Sequence, residues 1–533
     1  VTQPRPLAVP TVLDRVVSWF DPVRGARRLA ARQAFAMMSG PVGGVSRSAG
    51  SRSGRLSSWL PKRLRRIEEE RERDTAMDRA EDLVANDGFA ASATSSLALN
   101  VVGGPGILPQ SRLAHAALGI SEEQAAMFSA SAEAAFRLWA KTAGIDGMHF
   151  CDIQYLCLHS VVALGEFCQI PLMRQRPGAA FDLCLQTIHP ARLRTPFDLS
   201  RHGHINQGVE FAEGAPVAYW VADPPDGMTV NGLTSANFKR YARAVGYRPG
   251  FFHGFLCDLP ERVRGISVLS PGSQLFRHLN DYLDYSLMQA IVTASLAVFV
   301  ETEDPFAAAM RLGRPLDGAA QGHEEEPRHQ ELTPGLFMYG RPGDKPHIIE
   351  SKNPPAAFDQ FVQRVVRAIA ASTGQPYEVV ARDFSETNYS SARAALLEVW
   401  KLYRRYHAWF VRSYCQQVWE MVLEEAWLRG MLAVPAKAPD FWAARDLWCA
   451  CVWTPPARGY VDPVKEVTAN ILALDNNLTT LADLAAEQGK DWEDTIGQRA
   501  RERRREAELE VEPRSKAASV KEASPTTREE DKD

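Results

Sequence analysis

PYEVVARDFSETNYSSARAALLEVW, Pro376 to Trp400, holds the sharpest change of character in the chain. Tyr377–Ser391 follows neither the 3.6-residue period of a helix nor the alternation of a strand. From Ala392, apolar and aromatic residues recur at helical spacing, and neither Gly nor Pro interrupts the run before Arg429. The pattern predicts one helix over Ala392–Arg429, about 57 Å long at 1.5 Å per residue. Trp400, Tyr403, Tyr406, Trp409, Phe410, Trp419 and Trp427 line it, and these rings build either the core of their own subunit or a contact face for another. Upstream, Phe358–Ser372 reads as a second helix and Gln274–Val300 as a third, about 40 Å long. Between them, Asp304–Lys352 is irregular, with many Gly and Pro and the acidic run Glu324–Glu326.

Towards the N-terminus, Ile67–Asn86 is charged and helical in period, and Gly88 stands where a C-terminal cap would fall. Ser121 with Gln124 forms a capping box opening a helix to Ala143, and Asp152–Leu164 is another, closed by Gly165. Glu166–Met173, Phe181–Ile188, Gly208–Phe211, Pro216–Ala222 and Phe251–Leu259 are short, rich in aromatic and branched residues, and separated by Pro and Gly. They predict an antiparallel sheet with helices on one side, an α+β unit. Beyond the long helix, Asp462-Pro463, Thr480 with Asp483, and Asp491 each mark a helix start, with Gly489 between the last two. From Arg501 the charges alternate so densely that a solvated, fraying tail is expected.

Charge is divided unevenly. The 533 residues carry 61 Lys and Arg against 65 Asp and Glu, a formal charge of -4, with 45% hydrophobic and 24% charged residues. Those fractions exclude a wholly disordered or fibrous chain. Residues 1–66 hold 13 of the basic side chains and only two acids, Asp14 and Asp21, so this arm carries +11 and the remainder -15. Apart from a short amphipathic piece at Val12–Phe20, the arm leads into a Gly/Ser/Arg-rich run at Ser39–Ser58 that buries too little apolar surface to offset ordering entropy. The eight cysteines show no regular spacing, which predicts reduced, buried thiols in a cytosolic setting. Gly88–Ser111 is punctuated by polar residues and Tyr285–Val300 is too short to span a bilayer. No signal-type apolar core opens the sequence, so a soluble intracellular product is expected.

Catalytic patterns are not found. Gly489-Lys490 lacks the upstream Gly and the following Ser or Thr of a phosphate loop, and Pro105 removes an amide from the Gly103–Gly106 cluster. Cys449 and Cys451 alternate as on a strand, and no second pair follows to complete a zinc site. His202 and His204 form an isolated pair. Asp383 and Glu386 have the spacing of a paired-carboxylate site, and equally of a helix start, with no metal ligand or base beside them. No catalytic residue, metal site or cofactor is expected.

Six segments, in order and with fitting gaps, carry a resemblance. They are VLDRVVSWFDPVRGARR (Val12–Arg28); RAEDLVANDGFAASA (Arg79–Ala93) continuing to NVVGGPGILPQ (Asn100–Gln110); CDIQYLCLHSVVALGEF (Cys151–Phe167); LPERVRGISVLSPG (Leu259–Gly272); the opening stretch Pro376–Trp400; and VDPVKEVTANILALDNNLTT (Val461–Thr480). From about Val12 to about Ala500 the chain resembles the lambda family of tailed-bacteriophage portal proteins, most specifically at Asn388–Arg393.

The resemblance implies a ring of about twelve identical subunits at one capsid vertex, closed by head-to-tail contacts. It implies a channel for double-stranded DNA during packaging and ejection, without catalysis. The implied plan is a basic, largely disordered arm (1–66), an α+β wing (67–273), a first stem helix (274–300), a clip (301–351), a second stem helix (352–376), a tunnel loop (377–391), a long spanning helix returning to the wing (392–455), a helical crown (456–500) and a charged tail (501–533). Implied channel residues are Arg382, Asp383, Glu386, Asn388, Tyr389, Ser390, Ser391 and Arg393. Implied docking residues of the clip are Glu301, Glu303, Asp304 and Arg311. Asp383 and Glu386 either repel the phosphate backbone or cap a helix towards solvent. Arg382 and Arg393 touch phosphates in passing, or Arg393 pairs with a neighbour. Implied partners are the large terminase subunit, head-completion and connector proteins, and the major capsid and scaffold proteins, with no membrane. The implied location is the virion, and the host cytoplasm during assembly. The alternatives are another minor capsid or head–tail joining protein without a through-channel, or a portal of a prophage remnant or gene-transfer particle.

Overall fold

The computed structural model describes residues 17, 19, 21, 24, 66–201, 203–223, 235–295, 298–300, 337–339, 358–385, 389–436, 438–457 and 463–509. The chain divides into two units, Val1–Glu69 and Glu70–Asp533. Within the first, Asp21 Oδ1 accepts the Arg24 N–H at 3.1 Å.

Helix α1 (Arg66–Asn86) gives way at once to α2 (Gly88–Val102), because the Asp87 carboxylate accepts the Ala90 N–H at 2.8 Å and caps the second helix. Gly88 therefore opens a helix rather than closing one. Strand β1 (Leu108–Ser111) follows, then α3 (Glu122–Ala140), which has the reciprocal Ser121–Gln124 capping box expected from the sequence. It stops at Ala140, short of the predicted Ala143. The Ala143 carbonyl instead accepts the Leu185 N–H at 2.8 Å, and the Ile145 N–H donates back to Leu185 at 3.0 Å. Helix α4 (Phe150–Leu164) closes on Gly165 at φ 99°, where a Cβ would lie 2.5 Å from the Ile266 backbone.

The predicted single sheet is two. Strands β2 (Glu166–Met173) and β3 (Leu183–Ile188) pair antiparallel. A four-stranded sheet of β4 (Ile205–Asn206), β5 (Val209–Ala212), β6 (Ala215–Ala222) and β7 (Phe238–Ala242) lies between them and β8 (Phe252–Phe255) in sequence, and β8 returns to pair with β2. Alternation along β2 explains the split. Phe167 enters the main core, whereas Cys168 and Ile170 join Ile188, Val209, Tyr219 and Val221 in a second one. The central strand is thus buried on both faces, and the second sheet covers the face that helices leave open.

Glu166, the first residue of β2, is fully buried in an ionic cluster. It accepts from Arg264 Nε at 2.8 Å, Arg73 Nη1 at 3.2 Å and the Gly265 N–H at 3.1 Å, and meets His253 Nε2 at 2.9 Å. Arg264 also donates to the carbonyls of Leu193, Gln207 and Pro190. Burial alone would raise the Glu166 pKa, but the Arg264 guanidinium leads the groups that hold it well below the carboxylate range. Burial lowers the His253 pKa despite Glu166 beside it.

Helix α5 (Ser273–Ser295) ends before the predicted Val300. Val298–Val300 is a strand, β9, paired parallel with β10 (Phe337–Tyr339), in keeping with the strand preference of Val-Phe-Val. Helix α6 (Phe358–Thr373) packs along α5, with the Tyr282 ring 5.5 Å from Phe358 and 5.1 Å from Phe361. A short helix α7 (Tyr377–Ala381) precedes α8 (Tyr389–Phe410), so the segment predicted to be aperiodic has helix at both ends. A π-helical turn at Val411–Cys415 joins α8 to α9 (Gln416–Leu428) without a break. It delivers Tyr414 and Cys415 into the core, where Tyr414 Oη donates to Gln169 Oε1 at 2.7 Å.

The aromatic stripe of the long helix is core of its own chain. Tyr403, Tyr406, Phe410 and Trp419 are buried, with Trp400, Trp409 and Trp427 packed against them. The Trp419 ring lies 5.3 Å from Phe136 of α3. Strand β11 (Cys451–Thr454) pairs with β1. Cys449 ends a helical turn before it, so the two cysteines do not share a strand face. All eight cysteines are unpaired thiols; burial pushes Cys157 up to about 12. The last helices are α10 (Pro463–Asp475), α11 (Leu481–Glu487) and α12 (Trp492–Glu508). α12 continues past Arg501 through residues predicted to fray, with ion pairs such as Arg505–Glu508 at 2.8 Å along it. Among the described residues no helix is long and apolar enough to cross a membrane.

Candidate functional site at the loop before the long helix

The turn from α6 into α8 is pinned from three sides. Gly374, at φ 73°, ends α6. The next residue, Gln375, is buried; its Nε2 donates to the Ala93 carbonyl of α2 at 2.8 Å and its Oε1 accepts from Tyr403 Oη of α8 at 3.4 Å. A buried amide satisfied at both ends fixes the path of the chain between those helices. α7 then packs Val380 against Ala93 and Ala370. The Tyr377 ring of α7 lies 5.3 Å from the Arg367 guanidinium.

Arg382 closes α7 in the left-handed region, φ 54° and ψ 33°, a position that favours glycine. Its Nε donates to Ser92 Oγ of α2 at 3.2 Å. Asp383 uses both carboxylate oxygens. Oδ1 accepts the Ser385 N–H at 3.0 Å and the Ser385 hydroxyl at 2.6 Å, and Oδ2 accepts the Tyr377 hydroxyl at 3.2 Å. Ser385 above all, with Tyr377 adding to it, holds the Asp383 pKa below the ordinary value. Between these two partners Phe384 is 53% exposed.

Of the predicted channel residues, the structure therefore gathers Arg382 and Asp383 at the base of the loop. Ser390 and Ser391 lie exposed in the first turn of α8, where Tyr389 begins the helix, and Arg393 is half-buried one turn along. Ser391 and Arg393 both have interaction partners. Glu386 and Asn388 lie outside the described residues, as do Glu301, Glu303, Asp304 and Arg311. Gln375, Tyr377 and Ser92 were not singled out from the sequence. Pro376, ahead of α7, is the one local mark of the turn, and nothing local ties Gln375 to Ala93, 282 positions away. Among the described residues no group of three or more His, Cys, Asp or Glu is placed to hold a metal ion.

Residues 52–407 match the family described as phage portal protein, lambda family. Two curated relatives extend the likeness. The portal protein of Escherichia phage N15 is 27% identical over 464 residues, covering 84% of this chain and 87% of the relative. Portal protein B of Escherichia phage lambda is 26% identical over 475 residues, covering 83% and 86%. A chain from the virion of a native gene transfer agent particle superposes with a TM-score of 0.40 at 15% identity, over 79% of this chain and 90% of that one, too loosely to carry an argument. The family match spans well over half the chain, and with it the pinned loop and the start of the helix it opens: the chain belongs to the lambda family of phage portal proteins.

Proposed function

We propose that the chain assembles into a closed ring of about twelve identical subunits whose central channel passes double-stranded DNA into and out of a capsid. The supporting observation is the family match taken together with a loop base that is pinned at Gln375, Arg382 and Asp383, is exposed at Phe384 and Ser385, and precedes a helical run from Tyr389 to Leu428. On this reading α5 and α6 are the stem, residues 301–351 the clip that docks the large terminase subunit and then the connector proteins, and 377–391 the tunnel loop. The C-terminal helices form the crown inside the shell, near major capsid and scaffold proteins. The chain acts as a structural component of the virion, assembled in the host cytoplasm, and performs no catalysis of its own.

The charge division suits such a channel. Rings of Lys and Arg bind DNA through counterion release, which would hold the duplex; a body carrying -15 outside the basic arm avoids that. Negative-stain images of the purified protein test the reading. Rings with a central hole are expected; a monomer or dimer at every concentration and salt overturns it, and a closed particle without a hole favours a joining protein instead.

A further inference from the structure

The loop base separates side chains that hold from a side chain that is held. Asp383 Oδ1 bonds the Ser385 N–H, so Phe384 is the apex of a turn closed by that carboxylate. The other oxygen is fastened to Tyr377 on α7, and α7 is fixed in turn by Gln375 and by Arg382 on Ser92. A carboxylate whose two oxygens are both engaged by its own chain has a structural use that does not depend on its repelling a passing phosphate.

We propose that Asp383 is a positioning residue: it builds the turn that presents the Phe384 ring to the DNA path, and it acts through the hydrogen bonds it accepts rather than through its charge. This rests on the portal reading for what Phe384 meets, and on the geometry alone for the turn. An uncharged ring at the apex touches a duplex without the counterion-release affinity that a Lys or Arg would add. Arg382 and Gln375 belong to the same anchor, which gives two of the expected channel charges, Arg382 and Asp383, a holding role and makes Phe384 the exposed aromatic side chain of the described loop base.

Two measurements on the full chain separate the turn from its use. In the first, chymotrypsin cleavage after Phe384 is followed by fragment mass. Asp383→Asn keeps an oxygen for Ser385 and an amide for Tyr377 Oη, so its cleavage rate stays within about twofold of the unsubstituted chain. Asp383→Ala loses three hydrogen bonds and is cleaved about tenfold faster or more. In the second, particles assembled with each variant are scored for nuclease-protected DNA. Asp383→Asn protects as much as the unsubstituted chain, whereas Asp383→Ala and Phe384→Ala protect several-fold less while still forming rings. Equal damage by Asn and Ala in either assay overturns the proposal in favour of charge. Wild-type behaviour of Asp383→Ala in cleavage overturns the turn, and wild-type protection by Phe384→Ala overturns the role of the ring. Failure of the unsubstituted chain to form rings defeats the portal reading and the DNA role, and the cleavage assay still judges the turn.

Discussion

Glu166 and Asp383 are both carboxylates that accept several hydrogen bonds, and they differ in what surrounds them. Glu166 is fully buried between Arg264, Arg73 and His253, where no water can replace a lost partner. Asp383 sits at the surface with Tyr377 and Ser385, where water replaces either one. The same bonding pattern therefore supports the fold in one place and the shape of a loop in the other. Substitutions at the first should cost stability, and those at the second that remove its hydrogen bonds should cost function with stability nearly unchanged.

The largest effect is expected from Arg264→Met. It leaves Glu166 undercompensated and takes the Arg264 donors from the carbonyls of Leu193, Gln207 and Pro190, of which Pro190 keeps the Leu193 N–H, and should lower unfolding stability by about 3–5 kcal/mol in urea titrations. A loss below about 1 kcal/mol would erase the contrast. Of similar size is Trp419→Ala, at about 3–5 kcal/mol, because it empties the centre of the aromatic core and takes from the Cys449 carbonyl one of its two donors, Trp419 Nε1, leaving Gln416 Nε2.

Acid should act on the buried region first. His253, and His407 at about 4, are held below the ordinary histidine value of 6.5 by burial. The unfolded chain takes up those protons first, so stability falls as pH drops below 6.5. Glu166 is held well below 4.5, so its contribution is present above that value and lost as pH falls through the lower folded one. Thermal melts from pH 7 to pH 4 should show a steady decline, flatter below 6.5 in His253→Gln. A decline of unchanged slope in that variant would assign the effect elsewhere.

Smaller still is Ser121→Ala, which removes the capping box of α3 and should cost about 1 kcal/mol. The smallest is Asp383→Asn, within about 0.5 kcal/mol in the same titrations as a surface change away from packing. A large loss there would mean that the loop base is part of the core after all.

Much of the helical framework was legible in the chain because its causes are local. The Ser121–Gln124 and Thr480–Asp483 boxes, Gly165 after α4 and the uninterrupted run into Leu428 each declare themselves within one turn of helix. The split into two sheets was not legible. It depends on β8 skipping a whole sheet to reach β2, and the period of two in β2 says that faces differ without saying what covers each. The end of α5 was misplaced because Val298–Val300 finds its partner at Phe337–Tyr339, far along the chain.

Sequence alone determined where several helices start and stop, the uneven charge of arm and body, and the family, since those follow from residue type and spacing. Tertiary structure decided which face of the long helix is core, why Glu166 can be buried charged, and that Asp383 is engaged by Tyr377 and Ser385. Each of those depends on which distant groups come within hydrogen-bond reach, and in a folded chain that is set by packing rather than by neighbours in sequence.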